Sequence, residues 1–300
     1  MEDILAPRYI DPVAARKHLE GLRWGDTPEC VHCGSADVTR LEGKKHRDGL
    51  LQCNKCREQF TVTVGTIFER SKIPLNKWLL CNHLLCAGKK GMSAHQIHRM
   101  LGVTYKTAWF MCHRIREAMK NNDTTPLGGE GKTVEADEAF IGGKQKNRKF
   151  RKPAAKKMVV SLVERGGRAR SFHVANIDAG KLRGALVTNV DRKSILQTDG
   201  SISYRLVGME FAKHRFVDHN IEFAQGERHS NTIENFFSIL KRGVIGTYHH
   251  WSPAHLHRYL AEFDFRYSTK DISDRQRADT ALIGTFGKRL TYRRTAALAA

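Results

Sequence analysis

The stretch VEADEAFIGG, residues 134–143, decides how the second half of this chain folds. Its pattern predicts a β-strand over residues 133–141, and side chains alternate between the two faces of a strand. That alternation places Glu135 and Asp137 on one side and Glu138 on the other. Three acids so close together leave open which of them has a chemical role.

Two later segments supply further carboxylates. Asp199 lies in SILQTDG and Glu234 in HSNTIENFFSILKRG, with 34 residues between the two acids. Carboxylate oxygens are the ligands that Mg²⁺ or Mn²⁺ prefers, and a pair of such ions can promote displacement at a phosphodiester. Asp137, Asp199 and Glu234 are therefore candidate metal ligands for phosphoryl transfer on nucleic acid, provided that tertiary folding brings them together.

Each of these acids also has an ordinary structural interpretation. Asp199-Gly200 is a common turn signal, and Glu234, three residues after Asn231, fits a helix capping box. Lys241 follows Glu234 by two helical turns, so it lies on the same helix face. It is a candidate to contact a phosphate beside the metal site, although an exposed lysine paired only with solvent is the commoner arrangement.

Strand and helix patterns alternate beyond residue 132 and predict an α/β fold with a mixed sheet. The predicted strands are 133–141, 157–164, 169–177, 194–199 and 215–218. The predicted helices are 179–189, one within 201–214, 231–243, and a long helix that begins at Ser252-Pro253.

The charge of the chain favours an anionic partner. There are 51 Lys plus Arg residues against 31 Asp plus Glu, which gives a net charge of +20. Membranes are also anionic, but no apolar run approaches the roughly 18 residues that span a bilayer, and the N-terminus lacks a signal-peptide pattern. We therefore expect a cytoplasmic, nucleoid-associated protein without membrane association.

A basic run, residues 144–157, contains eight Lys or Arg residues and no acid, and it directly follows the first predicted strand. It is a candidate to hold a DNA backbone, and a solvated charged loop is the alternative. Several histidines surround Glu234, of which His229 is the first candidate to assist catalysis. The candidate DNA contacts in the run are Lys144, Lys146, Arg148, Lys149, Arg151 and Lys152.

Four of the seven cysteines form two CxxC pairs, with 19 residues between the pairs: Cys30, Cys33, Cys53 and Cys56. This spacing predicts a zinc ribbon, in which four thiolates close the coordination of a structural Zn²⁺. Two redox CxxC motifs are the alternative. His32 and His46 are available as substitute ligands but are not needed. The ribbon should span about 27–65, with strands mainly after Cys56.

A helix-turn-helix pattern follows the ribbon. Ser93 and Gln96 fit a capping box that begins a short helix, and Thr104 can cap a longer helix over residues 105–119. If the second helix enters a DNA major groove, its exposed first residues are the contacts, namely Tyr105, Lys106 and Thr107. An ordinary helical hairpin would show the same apolar pattern.

These features predict five segments. They are an N-terminal helix and zinc ribbon (1–66), a helix-turn-helix region (67–120), a polar, glycine-rich linker (121–132), a catalytic domain (133–286) and a basic tail (287–300).

Three segments, EADEAFIGGK, LQTDG and HSNTIENFFSILKRGVIGTYH, followed by HLHRYLAEFDFRYS, resemble the DDE transposases of ISXO-like prokaryotic insertion sequences, which are related to Merlin elements. The resemblance extends from the ribbon to about residue 268. It implies a ribonuclease H-like catalytic core with acids on the first strand, the fourth strand and a later helix. Carried over by motif, these are Asp137, Asp199 and Glu234, with Lys241 as the basic residue.

The resemblance also implies a reaction. A transposase of this kind cleaves DNA at the ends of its element and joins them to target DNA, with Mg²⁺ or Mn²⁺ at the acids and double-stranded DNA and further copies of itself as partners. Two other functions fit the same residues. One is a DNA-binding regulator derived from a transposase but without catalysis, and the other is a metal-dependent nuclease that cleaves without strand transfer.

Overall fold

The computed structural model describes residues 4–142, 156–174, 178–217 and 229–291. The chain forms two compact units. Residues 1–120 and 272–300 form the N-terminal unit, and residues 121–271 form the central unit. The chain therefore leaves the N-terminal unit after Lys120 and returns to it after Asp271.

Helices and strands are numbered along the whole chain. The helices are α1 (Pro7–Ile10), α2 (Pro12–Trp24), α3 (Leu75–Ala87), α4 (Ala94–Leu101), α5 (Tyr105–Met119), α6 (Ala179–Asn189), α7 (Ile202–Gly208), α8 (Asn231–Gly243), α9 (Pro253–Ser268) and α10 (Asp274–Ile283). A π-helical turn, Val244–Tyr248, extends α8. The strands are β1 (Val38–Arg40), β2 (Leu51–Cys53), β3 (Gln59–Phe60), β4 (Thr133–Ile141), β5 (Lys157–Glu164), β6 (Ala169–Val174), β7 (Ile195–Asp199) and β8 (Lys213–Val217).

In its described residues, the N-terminal unit combines a small antiparallel sheet, in the order β1-β2-β3, with helices α1 to α5 and α10. Helix α10 packs on α3, where the Asn82 side-chain amide donates to the Ala278 carbonyl (2.8 Å). His18 on α2 lies 2.8 Å from Asp279 on α10. Three further cysteines are fully buried and pack as small apolar side chains: Cys81, Cys86 and Cys112.

A five-stranded mixed sheet in the order β6-β5-β4-β7-β8 forms the centre of the central unit. Strand β4 pairs antiparallel with β5 and parallel with β7, and β7 pairs parallel with β8. Helices cover both faces, since one apolar cluster joins the sheet to α8 and α9 and another joins it to α6 and α7. The predicted α/β class is confirmed. Strands β4 and β7 and helix α8 correspond to the first strand, the fourth strand and the later helix expected of a ribonuclease H-like core.

The two faces of the sheet follow from side-chain alternation along β4. Ala139 and Ile141 lie in the cluster with α8 and α9, which we name face A. Val134 and Ala136 lie in the cluster with α6 and α7, which we name face B. Odd-numbered residues of β4 therefore point to face A and even-numbered residues to face B.

Within the ribbon, the structure differs from the predicted strands. Residues after Cys56 contribute only β3 and then turns, whereas β1 and β2 precede Cys56. Phe60, the last residue of β3, and Val62, in the turn that follows, are both buried. The alternating apolar pattern of FTVTVGTIF thus reflects burial without a continuous strand.

The division into units also differs from the predicted domains. Leu127, in the predicted linker, is buried and its N–H donates to the Asn189 carbonyl (2.7 Å), so this segment packs within the central unit. Residues 272–286, assigned by sequence to the catalytic domain, belong to the N-terminal unit. The start of the predicted tail is anchored there too, since Gly287 N–H donates to the Gly65 carbonyl (2.9 Å). In the part of the chain that the structure describes, no helix is long and apolar enough to cross a membrane.

Candidate active site and zinc centre

Strand β4 separates its three acids between two faces of the sheet. Glu135 and Asp137 lie on face A, toward α8 and α9, and Glu138 lies on face B. On face B the Tyr204 hydroxyl of α7 donates to Glu138 Oε2 (2.6 Å). This hydrogen bond gives Glu138 a partner on the opposite side of the sheet from α8, where Glu234 lies.

Asp137 and Asp199 each lie two residues beyond the last pair in the ladder between neighbouring parallel strands. That pair is Glu135 with Gln197, on β4 and β7. The same register, continued by two residues, would bring Asp137 level with Asp199, and the charge of Asp199 does contribute to the raised pKa of Asp137. Because paired residues of parallel strands point to the same face, both carboxylates belong to face A.

Helix α8 brings Glu234 to the same face through a contact at its first turn. The Ile233 backbone N–H donates to Glu135 Oε2 (2.9 Å), so a carboxylate on β4 satisfies a donor at the start of the helix. The other oxygen of Glu135 accepts from Arg165 Nε (2.6 Å), and Arg165 also donates to the His229 carbonyl (2.7 Å). Glu135 is completely buried by these contacts.

The predicted capping box at Asn231 does not form. The helix begins at Asn231, and the residue before it, Ser230, donates its hydroxyl to Glu234 Oε1 (2.6 Å). Glu234 itself is exposed on the surface of α8. The helix is fixed by Glu135, which leaves the Glu234 carboxylate on the outside of the first turn.

Burial and like charges together raise the pKa of Asp137 to about 7. Loss of hydration is the largest cause, and the charges of Glu138, Asp199 and Glu234 add to it. The Glu138 N–H, which donates to Asp137 Oδ1 (2.7 Å), acts in the opposite direction. The pKa of Glu138 is raised as well, first by burial. Asp199 and Glu234 thus lie close enough to Asp137 to disfavour its ionisation.

The three carboxylates are each held by a local donor. Asp199 Oδ1 accepts from the Ser201 N–H (3.1 Å), as Asp137 does from Glu138 and Glu234 from Ser230. Among the described residues, the four ribbon cysteines are the one group of three or more side chains already gathered as metal ligands. The acids are the hard oxygen donors that Mg²⁺ selects, and an ion would draw together carboxylates that now repel one another.

Several predicted site residues lie around this arrangement. Lys241 is exposed on α8, two turns after Glu234. His229 Nδ1 lies 3.6 Å from Glu135, so its contacts join the buried anchor of α8. The six basic residues proposed from the run after β4 lie outside the described residues: Lys144, Lys146, Arg148, Lys149, Arg151 and Lys152.

Sequence reasoning missed two polar residues on face A. Arg165, which pairs with Glu135, lies just after β5 and gave no motif signal. Gln197 pairs with Glu135 in the ladder and is buried, and neither atom of its amide has a hydrogen-bond partner among the described residues. Strand alternation could have placed Gln197 beside Asp199, since the two are separated by two residues.

The predicted zinc ligands converge. The Sγ atoms of Cys30 and Cys56 lie 3.6 Å apart, as do those of Cys33 and Cys53, and all four lie within 4.8 Å of one another. A tetrahedral Zn²⁺ with Zn–S bonds of about 2.3 Å separates its sulfurs by roughly 3.8 Å. The four cysteines fit a structural zinc ion.

The helix-turn-helix geometry agrees with the sequence pattern. Helix α4 ends at Gly102, which adopts a left-handed conformation (φ 60°), and Thr104 Oγ1 accepts from the Thr107 N–H (3.2 Å) to cap α5. At the start of α4, Ser93 accepts from the Gln96 N–H (3.2 Å). Tyr105 and Lys106 are exposed at the first turn of α5.

Comparison with known proteins agrees with this arrangement. Residues 126–268 match the family described as the ISXO2-like transposase domain. The chain carries an ISXO2-like transposase domain. Residues 11–59 match the transposase zinc-ribbon domain, so both parts of the resemblance seen in the sequence are confirmed. The ISXO2-like domain begins within the segment predicted as a linker and ends with α9, and it contains all three candidate acids.

Two relatives carry related names. A protein of Halobacterium salinarum, named as an uncharacterized protein in transposable element ISH50, is 25% identical over 86% of this chain and 91% of its own length. An uncharacterized transposase-like protein of Haemophilus influenzae is 26% identical over 33% of this chain and 80% of its own length.

Proposed function

We propose that this protein is a DNA transposase that binds the ends of an insertion sequence and catalyses metal-dependent strand cleavage and strand transfer. The proposal is supported by the match to the ISXO2-like domain and by the effect of the Asp199 and Glu234 charges on the pKa of Asp137, which is expected of three acids on elements that border face A. Two Mg²⁺ or Mn²⁺ ions, when bound by these acids, would supply activation of the attacking oxygen and stabilisation of the leaving oxygen.

The protein's own residues have separate tasks in this proposal. Asp137 and Asp199 offer oxygens from two adjacent strands, and Glu234 offers its carboxylate from the first turn of α8. Lys241, exposed two turns further along α8, is suited to contact a DNA phosphate. Glu135 does not reach outward, since it is buried against Arg165 and the start of α8. Its task is to hold the helix that carries Glu234.

The proposed partner is double-stranded DNA, both as element ends and as target. The net charge of +20 supports contact with the phosphate backbone. Tyr105, Lys106 and Thr107 at the start of α5, together with the basic run after β4, are the proposed contacts. Because an element has two ends that must be processed together, we propose that copies of the protein assemble on DNA as a homo-oligomer.

A strand-transfer assay with the full chain tests the proposal. Labelled DNA carrying the sequences that flank the gene on both sides is incubated with target plasmid and Mg²⁺. We expect joined product from the unaltered protein and at least a hundredfold less from Asp199→Ala, because the variant loses a metal-binding oxygen. Glu130→Ala is the matched control. It removes one exposed acid from the same unit and should leave the yield unchanged.

The same assay distinguishes the other functions. Cleaved ends without joined product would indicate a metal-dependent nuclease. Sequence-specific DNA binding without cleavage would indicate a regulator derived from a transposase. Equal yields of joined product from the unaltered protein and Asp199→Ala would remove the catalytic assignment of these acids.

A further inference from the structure

An aromatic pocket with a volume of about 460 Å³ lies in the N-terminal unit, beside the start of α5. Its walls come from the segment before α3, from α3 and from the first turns of α5. Neither matched family domain extends over this region, since one ends at residue 59 and the other begins at residue 126. The pocket is of the size that binds small organic groups.

Contacts on its buried side fix Trp78, one of the aromatic residues that line the pocket. Trp78 is buried, its indole Nε1 donates to Ser71 Oγ (2.9 Å), and its ring meets Phe68 edge to face at 5.3 Å. Phe110 and Trp109, both partly buried on α5, and the exposed Tyr105 complete the aromatic lining. Trp109 packs against His113 (4.1 Å between ring centres) and Phe110 against the Arg114 guanidinium, and these contacts help to fix the two rings that line the pocket.

Three further lining residues are cations. Arg70 and Lys106 lie at the exposed margin, and the Arg114 guanidinium is buried 4.8 Å from the centre of the Phe110 ring. Arg114 donates to three backbone carbonyls, those of Ile67 (2.6 Å), Leu290 (3.0 Å) and Glu69 (3.4 Å). None of the described lining residues is acidic, and the neighbouring Glu69, which pairs with Arg70 at 3.8 Å, offsets only one of the three positive charges. The pocket therefore keeps a positive charge that favours an anion.

A nucleotide combines the two properties that the pocket matches, a planar base and a charged phosphate. A base inside a duplex presents only its edge, because its neighbours cover both faces. Aromatic surfaces at the bottom of a pocket can therefore stack only on a base that has left the helix. An apolar protein side chain would fill the aromatic part but would offer no anion to the cations at the exposed margin, Arg70 and Lys106.

We propose that this pocket binds one unpaired nucleotide of a DNA strand, with the base against Trp109 and Phe110 and the phosphate at Arg70 and Lys106. Because Tyr105, Lys106 and Thr107 also line the pocket, DNA bound along the start of α5 brings its strand to the opening. The proposal rests on the DNA binding proposed above but not on catalysis.

Binding of labelled duplexes to the full chain, without added divalent metal, tests the proposal. Three duplexes of one sequence are compared: one fully paired, one with a single extra 2-aminopurine nucleotide, and one with an extra abasic nucleotide. We expect the 2-aminopurine duplex to bind at least fivefold more tightly than the other two, because only it supplies a free base for stacking. We also expect its fluorescence to be quenched on binding.

Two variants locate the effect. Trp109→Ala should abolish the preference for the 2-aminopurine duplex and the quenching of its fluorescence. Binding of the fully paired duplex should persist. Arg70→Ala, at the exposed margin where folding is insensitive, should reduce binding of the 2-aminopurine duplex more than that of the paired duplex. Arg99→Ala, an exposed arginine on α4 outside the pocket, is the matched control and should weaken all three duplexes equally.

The outcomes separate this proposal from the proposed function. Equal affinity for all three duplexes would overturn the proposal of a nucleotide pocket but not the proposed DNA binding. The occupant of the pocket would then be an apolar side chain of a protein partner. Equal affinity for the 2-aminopurine and abasic duplexes would show recognition of a bend, which also overturns it. Failure to bind any duplex would overturn DNA binding and, with it, the nucleotide pocket.

Discussion

At the scale of single residues, Asp137 is held in an unfavourable state by its surroundings. Its pKa is about 7 against an ordinary value of 3.8, mainly because burial removes water from the carboxylate. Between these two pH values the folded protein holds a proton that the unfolded chain releases. Stability therefore falls as pH rises from about 4 to about 7 and stays low above that.

Replacing Asp137 with Asn should therefore stabilise the metal-free protein at pH 8. Asn keeps an oxygen for the Glu138 N–H but carries no charge. The full shift corresponds to about 4 kcal/mol, and partial exposure reduces the expected gain to about 1–3 kcal/mol. Denaturant unfolding of Asp137→Asn and of the unaltered protein at pH 4 and pH 8 measures this gain. The two free energies of unfolding should be nearly equal at pH 4.

Addition of Mg²⁺ provides the control for this prediction. The unaltered protein should gain stability at pH 8, because an ion that binds the folded state stabilises it by mass action, and Asp137→Asn should gain much less. The zinc ribbon is common to both proteins, so it does not contribute to the difference. A variant that is no more stable than the unaltered protein at pH 8 would contradict the raised pKa.

The candidate acids could be found from sequence only in part. Alternation along β4 correctly separated Glu135 and Asp137 from Glu138, because a strand has a strict period of two. It could not choose between Glu135 and Asp137. That choice depends on Arg165 and on the N–H of Ile233, which lies 98 residues from Glu135 in the chain. Contacts at such separations leave no local pattern.

At the scale of helices and strands, the attachment of α8 to β4 determines where Glu234 lies. The attachment is the fully buried carboxylate of Glu135. It accepts hydrogen bonds from the Arg165 guanidinium and from the Ile233 N–H in the first turn of α8. Phe236, Phe237 and Leu240 add apolar contact with the same face of the sheet. The apolar contacts hold the helix on the sheet, and the hydrogen bonds of Glu135 fix its first turn.

Replacing Glu135 with Ala should therefore destabilise the protein and release the start of α8. The change leaves the Arg165 guanidinium without its carboxylate and the Ile233 N–H without an acceptor, at a cost of about 3–5 kcal/mol. Unfolding experiments measure the loss, and hydrogen exchange should increase first at residues 231–236. Glu210→Ala is the control. It breaks exposed ion pairs with Arg183 and Arg192 and should cost far less.

A different result would change the interpretation of this contact. If exchange in α8 is unaffected by Glu135→Ala while stability falls, Glu135 supports the sheet alone and does not position Glu234. Exchange data on the same sample distinguish the two roles.

Element boundaries were predicted best where the apolar period is long and the ends carry strong signals. Helix α5 extends over the predicted residues 105–119 because Thr104 caps it, and β4 and β5 match their predicted ranges. Helix α10 was missed, although Ser273 and Gln276 form a complete capping box. Its buried face consists of Ala278, Ala281 and Leu282, and two small alanines give a weak apolar signal.

At the scale of the whole molecule, the chain crosses between its two units twice. Sequence order suggested a catalytic domain that continued to residue 286, since nothing in the composition changes at residue 271. The return to the N-terminal unit depends on tertiary contacts of α10 with α2 and α3, including His18 with Asp279 and Asn82 with Ala278. Such contacts cannot be read from a local pattern.

Removal of residues 272–300 should therefore unfold part of the N-terminal unit and spare the central sheet. The truncation exposes the surface of α3 that α10 covers and removes the acceptor of the buried Asn82 amide, so hydrogen exchange should increase in α2 and α3. Exchange in β4 and β5 should stay slow, because both strands lie in the other unit. A chain that ends at Thr291 keeps α10 and the anchored segment at Gly287, and it serves as the control. Faster exchange in β4 and β5, with α3 still protected, would mean that the C-terminal segment stabilises the transposase domain instead.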